Sequence, residues 1–67
     1  MLNNIEAERA RHNLSKIEIA ERLKISPKTY RKWINEDISV PSSALIELSK
    51  MFNVSVDYLL SLTEESA

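Results

Sequence analysis

The 67-residue sequence contains no cysteine, no glycine and one histidine, His12. Without cysteine there are no disulfide bonds, no thiolate zinc sites and no cysteine nucleophile, and a single histidine excludes a histidine-rich metal site. No apolar run approaches the roughly 18 residues that a membrane span needs, and the polar N-terminal region is not typical of a signal peptide. We therefore expect a soluble, cytoplasmic protein that needs no metal and no cofactor.

The lack of glycine also argues against β-structure. Tight β-hairpins rely on Gly or Asn at positive φ, and the chain contains no Asn-Gly or Asp-Gly pair. Isoleucine, leucine, valine and phenylalanine nevertheless supply 19 of the 67 residues, which is above the roughly 20% at which chains become disordered. The sequence predicts one small all-α domain over residues 1–67.

Charge is distributed unevenly along the chain. The net charge is −1, but residues 1–40 hold eight basic and six acidic residues, whereas residues 41–67 hold one basic and four acidic residues. Between Lys24 and Lys32 there are four basic residues and no acidic one. This pattern indicates a dipolar molecule with one basic face.

Apolar periodicity and capping signals predict five short helices, over about residues 4–12, 15–23, 27–34, 43–53 and 55–62. We expect Asn3 or Asn4 to cap the first helix and Ser42 or Ser43 to cap the fourth. Ser15 and Glu18 form a capping-box pattern at the second helix, and Ser26 followed by Pro27 is an N-cap signal for the third. Residues 63–67 are expected to fray. The residues predicted to face the core are Ile5, Ile19, Ala20, Leu23, Tyr30, Trp33, Ile34, Leu45, Leu48, Phe52, Val56, Leu59 and Leu60.

The most informative unit is residues 15–35. A two-turn helix, a three-residue break and a second capped helix are typical of a helix-turn-helix, whose second helix enters the DNA major groove. The outward positions of that second helix carry Pro27, Lys28, Thr29 and Lys32, which offer amine donors to guanine and apolar groups to the thymine methyl. The side chains predicted to reach the DNA backbone are Lys16, Ser26, Arg31 and Asn35.

The chain resembles the phage-repressor type of helix-turn-helix domain, the XRE or Cro/CI (lambda-repressor-like) family. The resemblance rests on four motifs in the family's order: Leu14-Ser15-x-x-Glu18-Ile19-Ala20-x-x-Leu23, Ile25-Ser26, Trp33, and Val54-Ser55-Val56-Asp57-Tyr58-Leu59-Leu60. It implies a compact five-helix domain that binds double-stranded DNA as a two-fold dimer. It also implies base-reading roles for Pro27, Lys28, Thr29 and Lys32, and backbone-contacting roles for Ser15, Lys16, Ser26 and Asn35.

The sequence departs from the family at four positions. Lys16 stands where the family usually has Gln. The lysine favours a contact with phosphate alone. Lys24 replaces the glycine of the turn, at a cost of about 1 kcal/mol if its backbone is left-handed. Ile34 replaces a common Glu whose partner would be Arg9, so Arg9 must pair elsewhere, with Glu6 as the candidate. Pro27 stands where many members of the family have a longer polar side chain that contacts bases.

Several patterns have a second interpretation. The basic run is either a DNA-binding surface or a solvated face, and the combination with the helix-turn-helix spacing favours the first. Tyr30 and Trp33 are expected in the core rather than stacked on bases. The C-terminal apolar residues Val56, Tyr58, Leu59 and Leu62 form either a dimer surface or a cap on the core of one subunit. His12 is expected on the surface, at the end of the first helix.

The sequence thus predicts a sequence-specific regulator of transcription that binds double-stranded DNA. We expect a repressor that acts as a homodimer on a two-fold operator, in a bacterial or phage-infected cell, with no small-molecule ligand. The alternative is a protein-binding module, an antitoxin or co-regulator, that uses the acidic fourth and fifth helices. An enzyme is disfavoured because no catalytic triad, metal cluster or phosphate loop is present.

Overall fold

The computed structural model describes residues 2–61, which form five helices and no strand. The helices are α1 (Asn3–Arg11), α2 (Lys16–Arg22), α3 (Pro27–Ile34), α4 (Ser42–Phe52) and α5 (Val56–Leu59). The predicted all-α class is confirmed, and the breaks between the helices fall where the sequence places them. The fifth helix is shorter than predicted, because its last helical residue is Leu59 and Leu60 is its C-cap. The predicted fraying of residues 63–67 lies outside the described residues.

Serine side chains begin three of these helices, as the sequence indicates for α2 and α3. Ser15 Oγ accepts the amide of Glu18 at 3.0 Å, and Glu18 Oε1 accepts the amide of Ser15 at 2.9 Å, which completes the capping box. Ser26 Oγ accepts the amide of Thr29 at 3.1 Å. Ser55 does the same for α5 at 3.0 Å. These bonds satisfy amides that have no partner within their own helix.

The predicted caps of α1 and α4 are wrong. The N-cap of α1 is Leu2, which is buried and donates its amide to the Ile34 carbonyl at 2.8 Å. Asn4 lies inside α1 and donates to the Tyr58 carbonyl at 2.7 Å, so its amide group joins α1 to α5. Tertiary contacts therefore determine where α1 begins.

At α4 the N-cap is Pro41, which lies in the extended region with φ −61° and ψ 149°. Ser42 and Ser43 are therefore already helical residues. The N-cap itself makes no side-chain hydrogen bond, since proline has no group to offer.

Left-handed residues end the helices of this glycine-free chain. Residues with positive φ follow or form the C-caps of the five helices in residues 2–61, and they are Asn13, Lys24, Glu36, Asn53 and Ser61. After α2, the amide of Lys24 donates to the Glu21 carbonyl and the amide of Ile25 donates to the Ala20 carbonyl, at 3.1 and 3.0 Å. This is the Schellman pattern, in which glycine is the usual left-handed residue.

We expect Lys24→Gly to stabilise the domain by about 0.5–1 kcal/mol. Lys24 has φ 58°, and a side chain there costs about 1–2 kcal/mol, which exceeds the extra entropy that glycine gives the unfolded chain, about 0.4–1 kcal/mol. Thermal unfolding followed by circular dichroism measures the gain. Lys24→Ala is the control, because it removes the charge and keeps the left-handed cost. An equal gain in both variants would assign the effect to charge and contradict the prediction.

The core is formed by all five helices. Its buried hydrophobic residues are Leu2, Ile5, Leu14, Ile19, Ala20, Tyr30, Ile34, Leu48, Phe52 and Leu59, and Trp33 and Leu45 are also buried. Leu23, Val56 and Leu60 are half-buried rather than fully buried. Burial of Tyr30, Trp33 and Ile34 confirms the predicted inner face of α3 and so determines which residues of that helix face outward.

Candidate nucleic-acid interface

The outer face of α3 carries the predicted base-reading residues. Pro27, Lys28 and Lys32 are exposed, while Thr29 is half-buried. The Thr29 hydroxyl lies 3.0 Å from Ser26 Oγ, so it is engaged in the helix cap and its methyl group is the part left for an outside contact. The first turn of α3 thus carries Pro27, Lys28 and Thr29, and Lys32 lies one turn after Lys28.

Three cations on this helix have no ionic partner among residues 2–61. Lys28, Arg31 and Lys32 are exposed, and none takes part in an ion pair with a described residue. An exposed cation that is not in an ion pair presents its charge to solvent and to any approaching anion. The outer face of α3 is therefore strongly cationic although the chain as a whole has a net charge of −1.

The predicted backbone-contacting residues fall into two groups. Ser15 and Ser26 lie at the N-termini of α2 and α3, where both hydroxyls accept cap amides. The others surround a small groove of about 40 Å³ between α2 and α3, which is lined by Glu6, Lys16, Tyr30, Arg31, Ile34 and Asn35. The structure thereby brings Lys16, Arg31 and Asn35 together although 19 positions separate the first from the last.

A polar cluster of Glu6, Arg9, Lys16 and Tyr30 connects the inner side of α3 to α1 and α2. Tyr30 Oη donates to Glu6 Oε2 at 2.5 Å, and Arg9 Nε donates to the same oxygen at 2.8 Å. Arg9 also donates to the Leu14 carbonyl at 2.6 Å. Lys16 Nζ lies 3.9 Å from Glu6 Oε1. The predicted Arg9–Glu6 pair is confirmed, whereas the Tyr30 hydroxyl was placed in the core with no partner foreseen.

The pKa values of Glu6 and Tyr30 are shifted by their neighbours in this cluster. Partial burial alone would raise the pKa of Glu6, but hydrogen bonds from Arg9 and Tyr30 outweigh it and hold that pKa below its ordinary value. Burial and the bond to Glu6 raise the pKa of the Tyr30 hydroxyl. At neutral pH, Glu6 is therefore an anion and Tyr30 remains a protonated donor.

A second carboxylate of α1 is buried, which the sequence reasoning missed. Glu8 is 1% exposed, and its Oε2 accepts from Arg11 Nη1 at 2.5 Å and from Tyr58 Oη at 3.1 Å. The spacing of three from Ile5 places Glu8 on the buried face of α1, and that signal was available in the sequence. This contact fastens α1 to α5, away from α3.

The predicted dimer surface needs one correction. Leu59 is 0% exposed and belongs to the core cluster, so it offers no surface to a second subunit. Val56 and Tyr58 are half-buried, and Leu62 lies outside the described residues. One groove near the end of α5, of about 320 Å³, is lined by Leu2, Glu36, Ile38, Ser39, Val40, Leu45 and Leu60.

His12 is the C-cap of α1 and is exposed, as predicted. Its Nδ1 lies 2.9 Å from the Glu8 carbonyl oxygen, and its ring centroid is 4.9 Å from that of Phe52. Within residues 2–61, no group of three or more His, Asp or Glu side chains is arranged to bind a metal ion. In the same part of the chain, no helix combines the length and the apolar character needed to cross a membrane.

Comparison with known proteins identifies the same architecture. A profile of the family described as "Helix-turn-helix" matches residues 5–59. The chain is 33% identical over 57 residues to the "Uncharacterized HTH-type transcriptional regulator YobD" of Bacillus subtilis (strain 168), which covers 85% of this chain and 51% of that protein. The chain therefore spans about half the length of this curated relative. No solved structure matches the chain significantly.

Proposed function

The chain belongs to the helix-turn-helix family, and from that premise we propose that it is a regulator of transcription that binds double-stranded DNA sequence-specifically. The observation that carries the proposal is the outer face of α3, where Lys28, Arg31 and Lys32 are exposed and unpaired among the described residues. The name of the B. subtilis relative, an HTH-type transcriptional regulator, supports it.

In this proposal α3 lies in the major groove. The groove is about 12 Å wide, and a helix with its side chains is roughly 10–12 Å across. Lys28 and Lys32 donate to guanine O6 and N7, and the Pro27 ring and the Thr29 methyl contact thymine methyl groups. The engaged hydroxyl of Thr29 supports an apolar rather than a hydrogen-bonding role for that residue.

The DNA backbone is contacted on both sides of α3. Lys16, Arg31 and Asn35 line one groove and bind the same stretch of phosphates. Ser26 binds at the first turn of α3, where the helix dipole favours anions. Ser15 binds through its hydroxyl, because its amide is held by Glu18. Phosphate contacts of this kind fix register and orientation, while the α3 contacts select sequence.

We further propose that two copies bind a two-fold operator and act as a repressor. Recognition helices of such a dimer lie about 34 Å apart, one turn of the duplex. Val56, Tyr58 and Leu62 remain the candidate dimer contacts once Leu59 is assigned to the core. Repression follows where the operator overlaps a site that RNA polymerase needs.

The second candidate function is that of a protein-binding module, such as an antitoxin or co-regulator. It is favoured by the acidic second part of the chain, in which residues 41–67 hold four acidic residues and one lysine. Such a module would use α4 and α5, and its affinity for mixed-sequence DNA would be negligible.

Titration of a mixed-sequence duplex at several salt concentrations distinguishes the two. With about four to six phosphate contacts per subunit, the logarithm of the binding constant should fall against the logarithm of salt concentration with a slope of about −3.6 to −5.4 for each bound subunit. Fluorescence anisotropy of a labelled duplex gives this slope. Absence of binding at low salt, or a slope near zero, would overturn the DNA-binding proposal and favour the protein partner.

A further inference from the structure

Three helices meet at one carboxylate behind the α3 face. Glu6 belongs to α1. Its Oε2 accepts from Tyr30 Oη on α3 at 2.5 Å, and its Oε1 lies 3.9 Å from Lys16 Nζ on α2. Arg9 holds this carboxylate from its own helix at 2.8 Å and also donates to the Leu14 carbonyl in the α1–α2 loop. The Glu6 carboxylate therefore contacts residues of α1, α2 and α3.

The contact to Tyr30 constrains how α3 sits. Tyr30 is 1% exposed and points inward, whereas Lys28 and Lys32 lie two residues before and after it and point outward. A directional hydrogen bond at the end of a long, rigid side chain limits both the rotation of α3 about its axis and its depth against α1. Apolar packing alone is non-directional and limits rotation less.

Glu6 also forms an ion pair with Lys16, which lies in the first turn of α2. The Lys16 side chain is 55% exposed and that of Glu6 is 20% exposed, so the ammonium lies at the rim of the groove and remains accessible. The 3.9 Å separation is an ion pair without a hydrogen bond, so Glu6 attracts the Lys16 ammonium without fixing its position.

We propose that Glu6 is a positioning residue for DNA recognition: by holding the Tyr30 hydroxyl it sets the orientation of α3 on the duplex without touching DNA. This inference rests on the proposed function. As a consequence, a change at Glu6 should affect the affinity for a selected duplex differently from the affinity for mixed-sequence DNA. Contacts to base edges depend on the angle and depth of α3, because they are directional, whereas contacts to phosphates tolerate small shifts and depend mainly on charge.

Two variants test the inference, and each is measured against two DNA probes. The probes are the tightest duplex recovered by the wild-type chain from a random library and a mixed-sequence duplex of equal length. Tyr30→Phe removes the hydroxyl and no charge. Because directional base contacts depend on the orientation of α3, we expect binding to the selected duplex to weaken about two- to fivefold, with a change of less than about twofold for mixed sequence.

Glu6→Gln removes a negative charge next to the interface and keeps the shape. We expect binding to mixed-sequence DNA to stay equal or become stronger, since the interface gains net positive charge, while the preference for the selected duplex falls about two- to fivefold. A purely structural role of Glu6 would weaken both interactions together and would overturn the inference.

Ser49→Ala is the matched control, because it also removes a partly buried hydroxyl, one that donates to the Val54 carbonyl at 2.5 Å between α4 and α5. It should leave the preference for the selected duplex unchanged. If the wild type prefers the selected duplex and both test variants show the same preference as the wild type, the positioning role is disproved. If wild type itself binds neither probe, the proposed function fails.

Discussion

Replacement of Ile19 by alanine is expected to cost about 2–4 kcal/mol of unfolding free energy. Ile19 is 0% exposed in the middle of α2 and belongs to the core cluster with Tyr30 and Ile34. A native domain has only about 0.05–0.15 kcal/mol of stability per residue, which for this chain gives a total of roughly 3–10 kcal/mol. The variant should therefore be substantially unfolded at physiological temperature if the domain lies toward the lower end of that range.

Ile17→Ala is the matched control for this result. Ile17 is two residues away on the same helix but is 59% exposed, so its replacement should change stability by no more than about 0.5 kcal/mol. The chemical change and the gain in helix propensity are the same at both positions, and only burial differs. Urea unfolding followed by circular dichroism compares the two, and equal losses would contradict the assigned inner face of α2.

The sequence was most informative where structure depends on neighbours along the chain. The capping box at Ser15 and the N-cap at Ser26 were predicted because both partners lie within three residues. The outward placement of Lys28 and Lys32 followed from helical periodicity alone once Tyr30 and Trp33 were assigned to the core. The Arg9–Glu6 pair was predicted from the resemblance to the family, because Ile34 leaves Arg9 without its usual glutamate partner.

Contacts between distant segments were not predictable from such rules. The Tyr30–Glu6 hydrogen bond joins residues 24 positions apart, and the Tyr58–Glu8 bond spans 50. Both depend on the angles at which helices pack, which a single sequence does not state. The start of α1 was mispredicted for the same reason, because Asn4 donates to α5 instead of capping its own helix.

In the candidate interface, too, one part is predictable from the sequence and another part depends on how the helices pack. Periodicity predicts which α3 residues are outward, but the meeting of Lys16 with Arg31 and Asn35 at one groove requires the α2–α3 packing. The half-burial of Thr29 was missed because its hydroxyl contacts the Ser26 cap, and capping patterns describe amide bonds rather than contacts between two hydroxyls.

Charge reversal of both outward lysines of α3, Lys28→Glu with Lys32→Glu, is expected to weaken duplex binding at least about 100-fold. Each lysine that contacts a base contributes about 1–3 kcal/mol, and each new carboxylate adds repulsion from phosphates. Because the residues lie one turn apart, their effects are not expected to add strictly. Fluorescence anisotropy at about 0.15 M salt, where the screening length is about 8 Å, measures the loss.

The fold should tolerate this double change. Lys28 lies in the first turn of α3, where a carboxylate is favoured by the helix dipole, and Lys32 lies near its end, where a carboxylate is disfavoured. The two effects oppose each other, and both side chains are exposed. Unfolding midpoints within a few degrees of the wild type would establish that lost binding is not lost folding.

Lys50→Glu supplies the control for charge itself. Lys50 is exposed in the last turn of α4, outside the α2–α3 unit, so the same reversal there should change affinity by less than about threefold at this salt concentration. If Lys50→Glu weakened binding as much as Lys28→Glu or Lys32→Glu alone, the duplex would be attracted by overall charge and not by the α3 face. Single alanine variants then separate the two lysines: relaxed selectivity at one base pair identifies a base contact, and a uniform loss on every duplex identifies a phosphate contact.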